Sequence, residues 1–219
     1  MDFVKKFKYK STKHVPWSRE DYRKSDCHSD ISFFEGKEVV ITEKMDGEVS
    51  NIYHDGSFHA RSLNTPYHPS REWAGRVAGE IGFKLPGGWR ICAENVYAKH
   101  SIKYDDLKAY IQAFSIWNNE NRCLDWDQTE EWCNLLDIEH VPVIWRGEYD
   151  RKFIENKFTH NKLCEMRGRE VEGYVMRTVD GFHYNEFEKH LAKFVRQNHV
   201  QTSEHWRKKK VEPNKLKSE

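Results

Sequence analysis

The chain has 219 residues, enough to bury one large core, and is most economically read as a single domain. Lys and Arg total 36 against 35 for Asp and Glu, so the formal net charge of +1 excludes a global positive field, and any polyanion surface must be local. Five cysteines with no Cys-x-x-Cys pair argue against a zinc knuckle or disulfide framework, and the absence of a membrane-length apolar run or signal-peptide core points to a soluble, reducing, cytoplasmic compartment.

In chain order, the β-branched run Val39-Val40-Ile41-Thr42 predicts a buried strand over 38–44 that ends on Lys44. Strands follow over 49–54 and 57–61, with Asp55-Gly56 as the hairpin turn, so that Lys44 opens a meander. Trp73, Val77 and Ile81 recur every four residues and predict a helix over 71–81. Pro86-Gly87-Gly88 then turns the chain into a strand over 89–97, followed by another over 110–117. Asp127-Gln128-Thr129-Glu130 reads as a helix start with Trp132, Leu135 and Leu136 facing inward. A strand over 141–145, a helix over 152–166 and closing strands over 171–177 and 190–196 complete an α+β pattern with mainly antiparallel sheets and flanking helices. The twelve histidines show no metal-binding spacing such as His-Glu-x-x-His.

Glu43-Lys44-Met45-Asp46-Gly47-Glu48 carries the chemistry. On an extended chain Lys44 and Asp46 share a face toward one ligand, and Gly47 lets the backbone come close to it. A lysine attacks only as the free amine, so its pKa must be lowered by cations, a metal or desolvation. Taken alone, Lys-x-Asp-Gly is more often an exposed lysine before an ordinary turn. Five later segments change that balance: Phe58-His59-Ala60-Arg61-Ser62, Ile91-Cys92-Ala93-Glu94-Asn95-Val96-Tyr97, Ala113-Phe114-Ser115-Ile116-Trp117, Glu172-Gly173-Tyr174-Val175-Met176-Arg177 and Ala192-Lys193-Phe194-Val195-Arg196.

With the Lys44 segment, this order resembles the covalent nucleotidyltransferase superfamily of ATP-dependent ligases and capping enzymes. The run from Ala93 to Tyr104 is most similar to RNA ligases of the RNA ligase 2 type. The resemblance implies a nucleotidyltransferase (ATP-grasp-like) ligase catalytic domain over 1–204, using ATP and magnesium or manganese. It makes Lys44 the nucleophile that takes AMP, with Glu43, Asp46 and Gly47 beside the nucleotide. Lys193 would contact the α-phosphate, Arg61 the ribose or the phosphate of an incoming end, and Phe114 the adenine face. Trp117, three positions on, would face the other way on a regular strand. Glu94 and Glu172 would engage a catalytic metal, chiefly through water, or the ribose, and which does which stays open. The family often shows two closing-strand lysines one residue apart. Here 191 is Leu and 195 is Val, which leaves Arg196 as the candidate second cation.

The implied partner is RNA with 5′-phosphate and 3′-hydroxyl ends, joined by a monomer in a bacterial cell or phage-infected host. Nicked DNA or a hybrid, a guanylyl transfer, and an RNA-end binding module that has lost catalysis are the alternatives. The Ser11–Ser18 segment is expected beside the nucleotide pocket, and too few residues follow Arg196 for an oligonucleotide-binding-fold module. The basic run 205–219, with Trp206, fits either a tail that tracks a phosphate backbone or a solvated terminus.

Overall fold

A computed structural model of the chain describes residues 4–18, 23–64, 66–196 and 210–217. Its strands are β1 (Glu38–Glu43), β2 (Glu48–Tyr53), β3 (Phe58–His59), β4 (Arg90–Asn95), β5 (Ile111–Trp117), β6 (Arg122–Cys123), β7 (Val143–Glu148), β8 (Gly173–Thr178), β9 (Phe182–His183) and β10 (Leu191–Val195). The α-helices are α1 (Glu72–Ile81), α2 (Trp126–Leu136), α3 (Arg151–Lys157) and α4 (His160–Arg167). The strands form two antiparallel sheets, one ordered β10-β8-β1-β7 and the other β3-β2-β4-β5-β6-β9.

β1 is apolar at successive positions because both of its faces are covered. Side chains alternate across a strand, so Val39 and Ile41 pack with Ile154, Phe158 and Leu163 of the α3–α4 layer. Val40 points the other way, into a cluster with Met45, Val96, Tyr104 and Trp126. β1 and β2 do not form the expected meander. They belong to different sheets, and Lys44–Gly47 is the crossing between them. Local alternation predicts each strand but carries no information about which neighbour it pairs with.

The six-stranded sheet packs against α1 and α2. The inward stripe of α1 is Ala74, Ala78 and Ile81, while Trp73 and Val77 are only partly buried at its side. α2 begins one residue earlier than expected, because the Asp125 carboxylate caps the Gln128 N–H at 2.7 Å. Trp126, Thr129, Cys133 and Leu136 face inward, whereas Leu135, expected inside, is 67% exposed. The single helix expected over 152–166 is two helices. Phe158 is buried, and Thr159 adopts an extended conformation that breaks the run and lets Phe158 and Leu163 both reach the core.

Residues 210–217, the described part of the expected tail, dock onto segment 96–107. Asn214 is 2% exposed. Its side chain accepts from the Tyr104 N–H at 2.9 Å and donates to the Val96 carbonyl at 2.8 Å. Leu107 and Lys215–Lys217 exchange further backbone bonds. Trp206 and the rest of 205–209 lie outside the described residues. Among the described residues, no helix is long and apolar enough to cross a membrane.

Candidate active site

The two sheets face each other across a cavity of about 590 Å³. β1 delivers Lys44 to it, β2 Glu48 and Val49, β4 Glu94, β5 Phe114 and Ser115, and β10 Lys193. Residues 9–14 close one side, as expected of the N-terminal segment. They are held by backbone bonds from Val15 N–H to the Lys193 carbonyl and from Lys193 N–H to the Lys13 carbonyl, at 2.8 and 2.9 Å.

Lys44 is anchored before its side chain begins, because its N–H donates to the Gly173 carbonyl at 3.0 Å. Its Nζ lies 2.6 Å from Glu172 Oε2, with the two side chains 25% and 6% exposed. Glu94 faces the same cavity, and among the described residues no donor lies within hydrogen-bond distance of its carboxylate. Two carboxylates beside an ammonium, one of them unpartnered, form a hard-oxygen set that suits a water-mediated divalent cation.

Phe114 reaches the cavity through a β-bulge. Cys92 pairs with Ser115 and Ala93 with Ala113, so Phe114 is the extra residue on β5. A bulge re-aims a side chain, and Phe114 and Trp117 consequently meet the same cluster despite their three-residue spacing. Trp117 is fully buried there, while Phe114 lines the cavity with Tyr9 edge-on at 5.1 Å between ring centroids.

A family model for RNA ligases matches residues 37–195. The chain belongs to the RNA ligase family. No curated protein matches it. Among solved structures, a variant of the Naegleria gruberi RNA ligase with ATP and manganese aligns at TM-score 0.56 and 17% identity, covering 78% of this chain and 53% of that one. A second variant of that ligase, also with ATP and manganese, aligns at 0.57 and 15%, covering 84% and 57%. An archaeal ATP-dependent RNA ligase aligns at 0.52 and 18%, covering 74% and 43%. At these identities the likeness is one of fold, and the chain spans about half the length of the ligases it matches.

Within this RNA ligase-family fold, Lys44, Gly47, Arg61, Glu94, Phe114 and Lys193 line one cavity, and Glu172 joins them through Lys44. Asp46 does not share their face. Its Oδ2 accepts from Ser101 N–H, Ser101 Oγ and Ile102 N–H, each at 2.7 Å. Glu43 forms part of the wall, but its fully buried carboxylate is taken by Arg167 and Arg169 at 2.7 Å each. Arg196 lies off the cavity and pairs with Glu170 at 3.2 Å. The close approach at Gly47 is to the Asn95 backbone, where a Cβ would collide with the carbonyl. The Glu48–Arg71 pair, bidentate at 2.6 Å and buried, was not anticipated, because its partners are 23 residues apart. His160, Cys164 and Glu170 also cluster, through the i, i+4 spacing of the first two on α4, with Arg196 against Glu170.

The charges set the protonation states. Burial pulls the Lys44 amine down, but Glu172, Glu94 and Asp46 outweigh it and hold it above the ordinary lysine value. The expected lowering is therefore reversed, and Lys44 is stored as an ammonium. Burial, then the Lys44 charge, brings Lys193 down to about 8. Burial pushes Glu94 up to about 8, with Lys44 opposing and Glu172, Asp46 and Glu48 reinforcing the rise.

This gives a stability prediction for Glu94→Gln. Between the ordinary glutamate value of 4.5 and about 8, the folded state holds a proton that the unfolded chain has released. Wild-type stability therefore falls as pH rises through that window. The variant lacks this penalty, so its Tm should exceed that of wild type at pH 8 by roughly 3–10 °C, with the gap closing toward pH 4. Thermal melts at the two pH values check this, and a pH-independent gap would refute it.

Proposed function

We propose that this chain is an ATP-dependent RNA ligase that takes AMP onto Lys44, passes it to an RNA 5′-phosphate and joins that end to a 3′-hydroxyl. The observation that carries the reading is the convergence of Lys44, Glu94 and Lys193 on one cavity, with Glu172 bonded to the Lys44 amine at 2.6 Å. Family membership supports it, as do the ATP and manganese of the Naegleria ligase structures.

Lys44 Nζ attacks the α-phosphorus of ATP. A P–N bond forms, the bond to the bridging oxygen breaks, and pyrophosphate leaves. Glu172 Oε2, 2.6 Å from Nζ, is positioned to take the ammonium proton that must go first. Lys193 stabilises the charge that grows on the α-phosphate, a fixed electrostatic contribution that needs no rearrangement. Phe114 offers an adenine an apolar ring face, and Arg61, hydrogen-bonded to Ser11 at the rim, meets an incoming phosphate. A divalent cation, magnesium or manganese, would be held through water by Glu94 and Glu172 and would supply neutralisation of the phosphates. The RNA 5′-phosphate then takes AMP from Lys44, and a 3′-hydroxyl displaces AMP to form the phosphodiester.

Incubation with α-labelled ATP and magnesium should leave protein-bound AMP that acid releases and that Lys44→Ala lacks. No adduct on the wild-type protein would overturn the reading. ATP competed against GTP, and RNA nicks against DNA nicks, define nucleotide and acceptor.

A further inference from the structure

Residues 5–10 read Lys-Lys-Phe-Lys-Tyr-Lys, four lysines in six positions on a chain whose net charge is only +1. The segment is pinned to the body by hydrogen bonds along its length. Phe7 N–H donates to Tyr53 Oη at 2.8 Å, Tyr53 Oη donates back to the Phe7 carbonyl at 3.3 Å, and Tyr184 Oη donates to the Lys8 carbonyl. The aromatic side chains face inward. Phe7 meets Tyr184 at 5.9 Å and the Arg90 guanidinium at 4.7 Å, and Tyr9 meets Phe114 and Phe187. Lys5, Lys6 and Lys8 are exposed, and Lys10 lies over the Tyr184 ring at 4.5 Å. Among the described residues no carboxylate is within ion-pair distance of any of the four, although Lys13 nearby is paired with Glu188 at 2.8 Å.

Unpaired cations usually project from mobile side chains on neutralised surfaces. Here the backbone is fixed, the rings are spent on packing, and the positive row runs into the cavity at Tyr9 and Lys10, with Arg61 against Ser11 at its rim. A rail of that kind suits the phosphates of a single polynucleotide strand, since each phosphate neutralised by a lysine releases condensed counterions. Inward-facing rings leave nothing apolar to insert into a lipid surface, so the chemistry favours a polynucleotide over a membrane.

We propose that Lys5, Lys6 and Lys8 form the outer grip for the RNA strand whose end is brought to Lys44, a role that rests on the RNA-joining reading for its substrate. The rail acts on strand binding and leaves the self-adenylylation of Lys44 untouched, because none of the three lysines lines the cavity.

The test compares wild type with Lys5→Ala/Lys6→Ala/Lys8→Ala and with a control, Lys152→Ala/Lys157→Ala/Lys162→Ala, which removes the same charge from the exposed faces of α3 and α4. The probe is a 5′-phosphorylated single-stranded RNA oligonucleotide, followed by fluorescence anisotropy across a series of potassium chloride concentrations. The rail variant should bind roughly tenfold or more weakly, and its log K against log salt slope should be shallower by about 2, at about 0.7 per lost phosphate contact. Its labelled AMP adduct should form at the wild-type rate, and the control should bind as wild type does. Unchanged affinity and slope in the rail variant, equal weakening in the control, or transfer of the same loss to anionic lipid vesicles would each overturn the proposal. Absence of an AMP adduct on wild type fails the ligase reading instead, and leaves the strand-binding result to be judged on the slope alone.

Discussion

Lys193→Ala should slow formation of the Lys44–AMP adduct by about 10²–10³-fold, the usual consequence of removing one fixed group that meets charge as it develops. Lys193 lines the cavity on β10, and its neighbours are ordered by the Lys13–Val15 backbone bonds, so the loss is one of charge at a fixed point. The fold should not suffer. With its pKa brought down to about 8, Lys193 is a half-buried cation that the folded state would rather not carry. Below pH 8 it is charged in both states and its burial costs stability; between about 8 and its ordinary value the folded state releases the proton first, and wild-type stability rises with pH. The alanine variant lacks that rise and should melt no lower than wild type at pH 7. Activity moves the other way, with adduct formation in wild type declining above about pH 8 as Lys193 loses its charge. Lys193→Arg keeps a charge at every accessible pH and should remove that alkaline decline. Single-turnover labelling across pH checks both statements; a wild-type rate in Lys193→Ala would remove the lysine from the chemistry.

Asp46→Ala should be costly to the fold instead. Three donors, Ser101 N–H, Ser101 Oγ and Ile102 N–H, converge on one oxygen of a carboxylate that is 9% exposed. Truncation strands them in a buried site, at about 3–5 kcal/mol, or roughly 10 °C in Tm for a chain of this size. The adduct should be lost with it, because segment 96–104 is tied on its other side by Asn214 and supports the Asp46 N–H through Tyr104 Oη at 2.9 Å. Asp46→Asn keeps an acceptor and should lose less. If Asp46 held the nucleotide, as its place two residues from Lys44 suggested, the alanine variant would instead keep its Tm and show a raised KM for ATP. Melts and ATP titrations on the same preparations separate the two.

Much of this architecture is written locally. The β-branched run before Lys44, the glutamates at 94 and 172 and the late lysine are each visible in a few residues; the alternation carries the antiparallel α+β reading, and Lys44, Glu94 and Lys193 line the cavity with Glu172 bonded to Lys44. The misreadings arise where geometry depends on a distant partner. Asp46 is turned by backbone amides 55 and 56 residues away. Phe114, by contrast, lines the cavity as expected, although it does so through a one-residue slip between β4 and β5 that no alternation pattern in β5 alone encodes. The ion pairs of Glu43 and Arg196, the candidates beside the nucleotide that the resemblance implied, are likewise set by distant charges, those of the 167–170 turn. The basic C-terminal run concealed Asn214, whose value lies in its hydrogen bonds and not in its charge.

The passage from β1 to β2 through Lys44–Gly47 makes the two sheets a pair of jaws with this short stretch as their clasp. Lys44, Glu172 and Lys193 ride on the four-stranded jaw, while Glu94, Phe114 and Arg61 ride on the six-stranded one. Neither jaw holds a complete set of groups. Any gape between them would leave Lys44 with Glu172 and carry away Glu94 and Phe114, so the set proposed to act on ATP is complete only with the two sheets together.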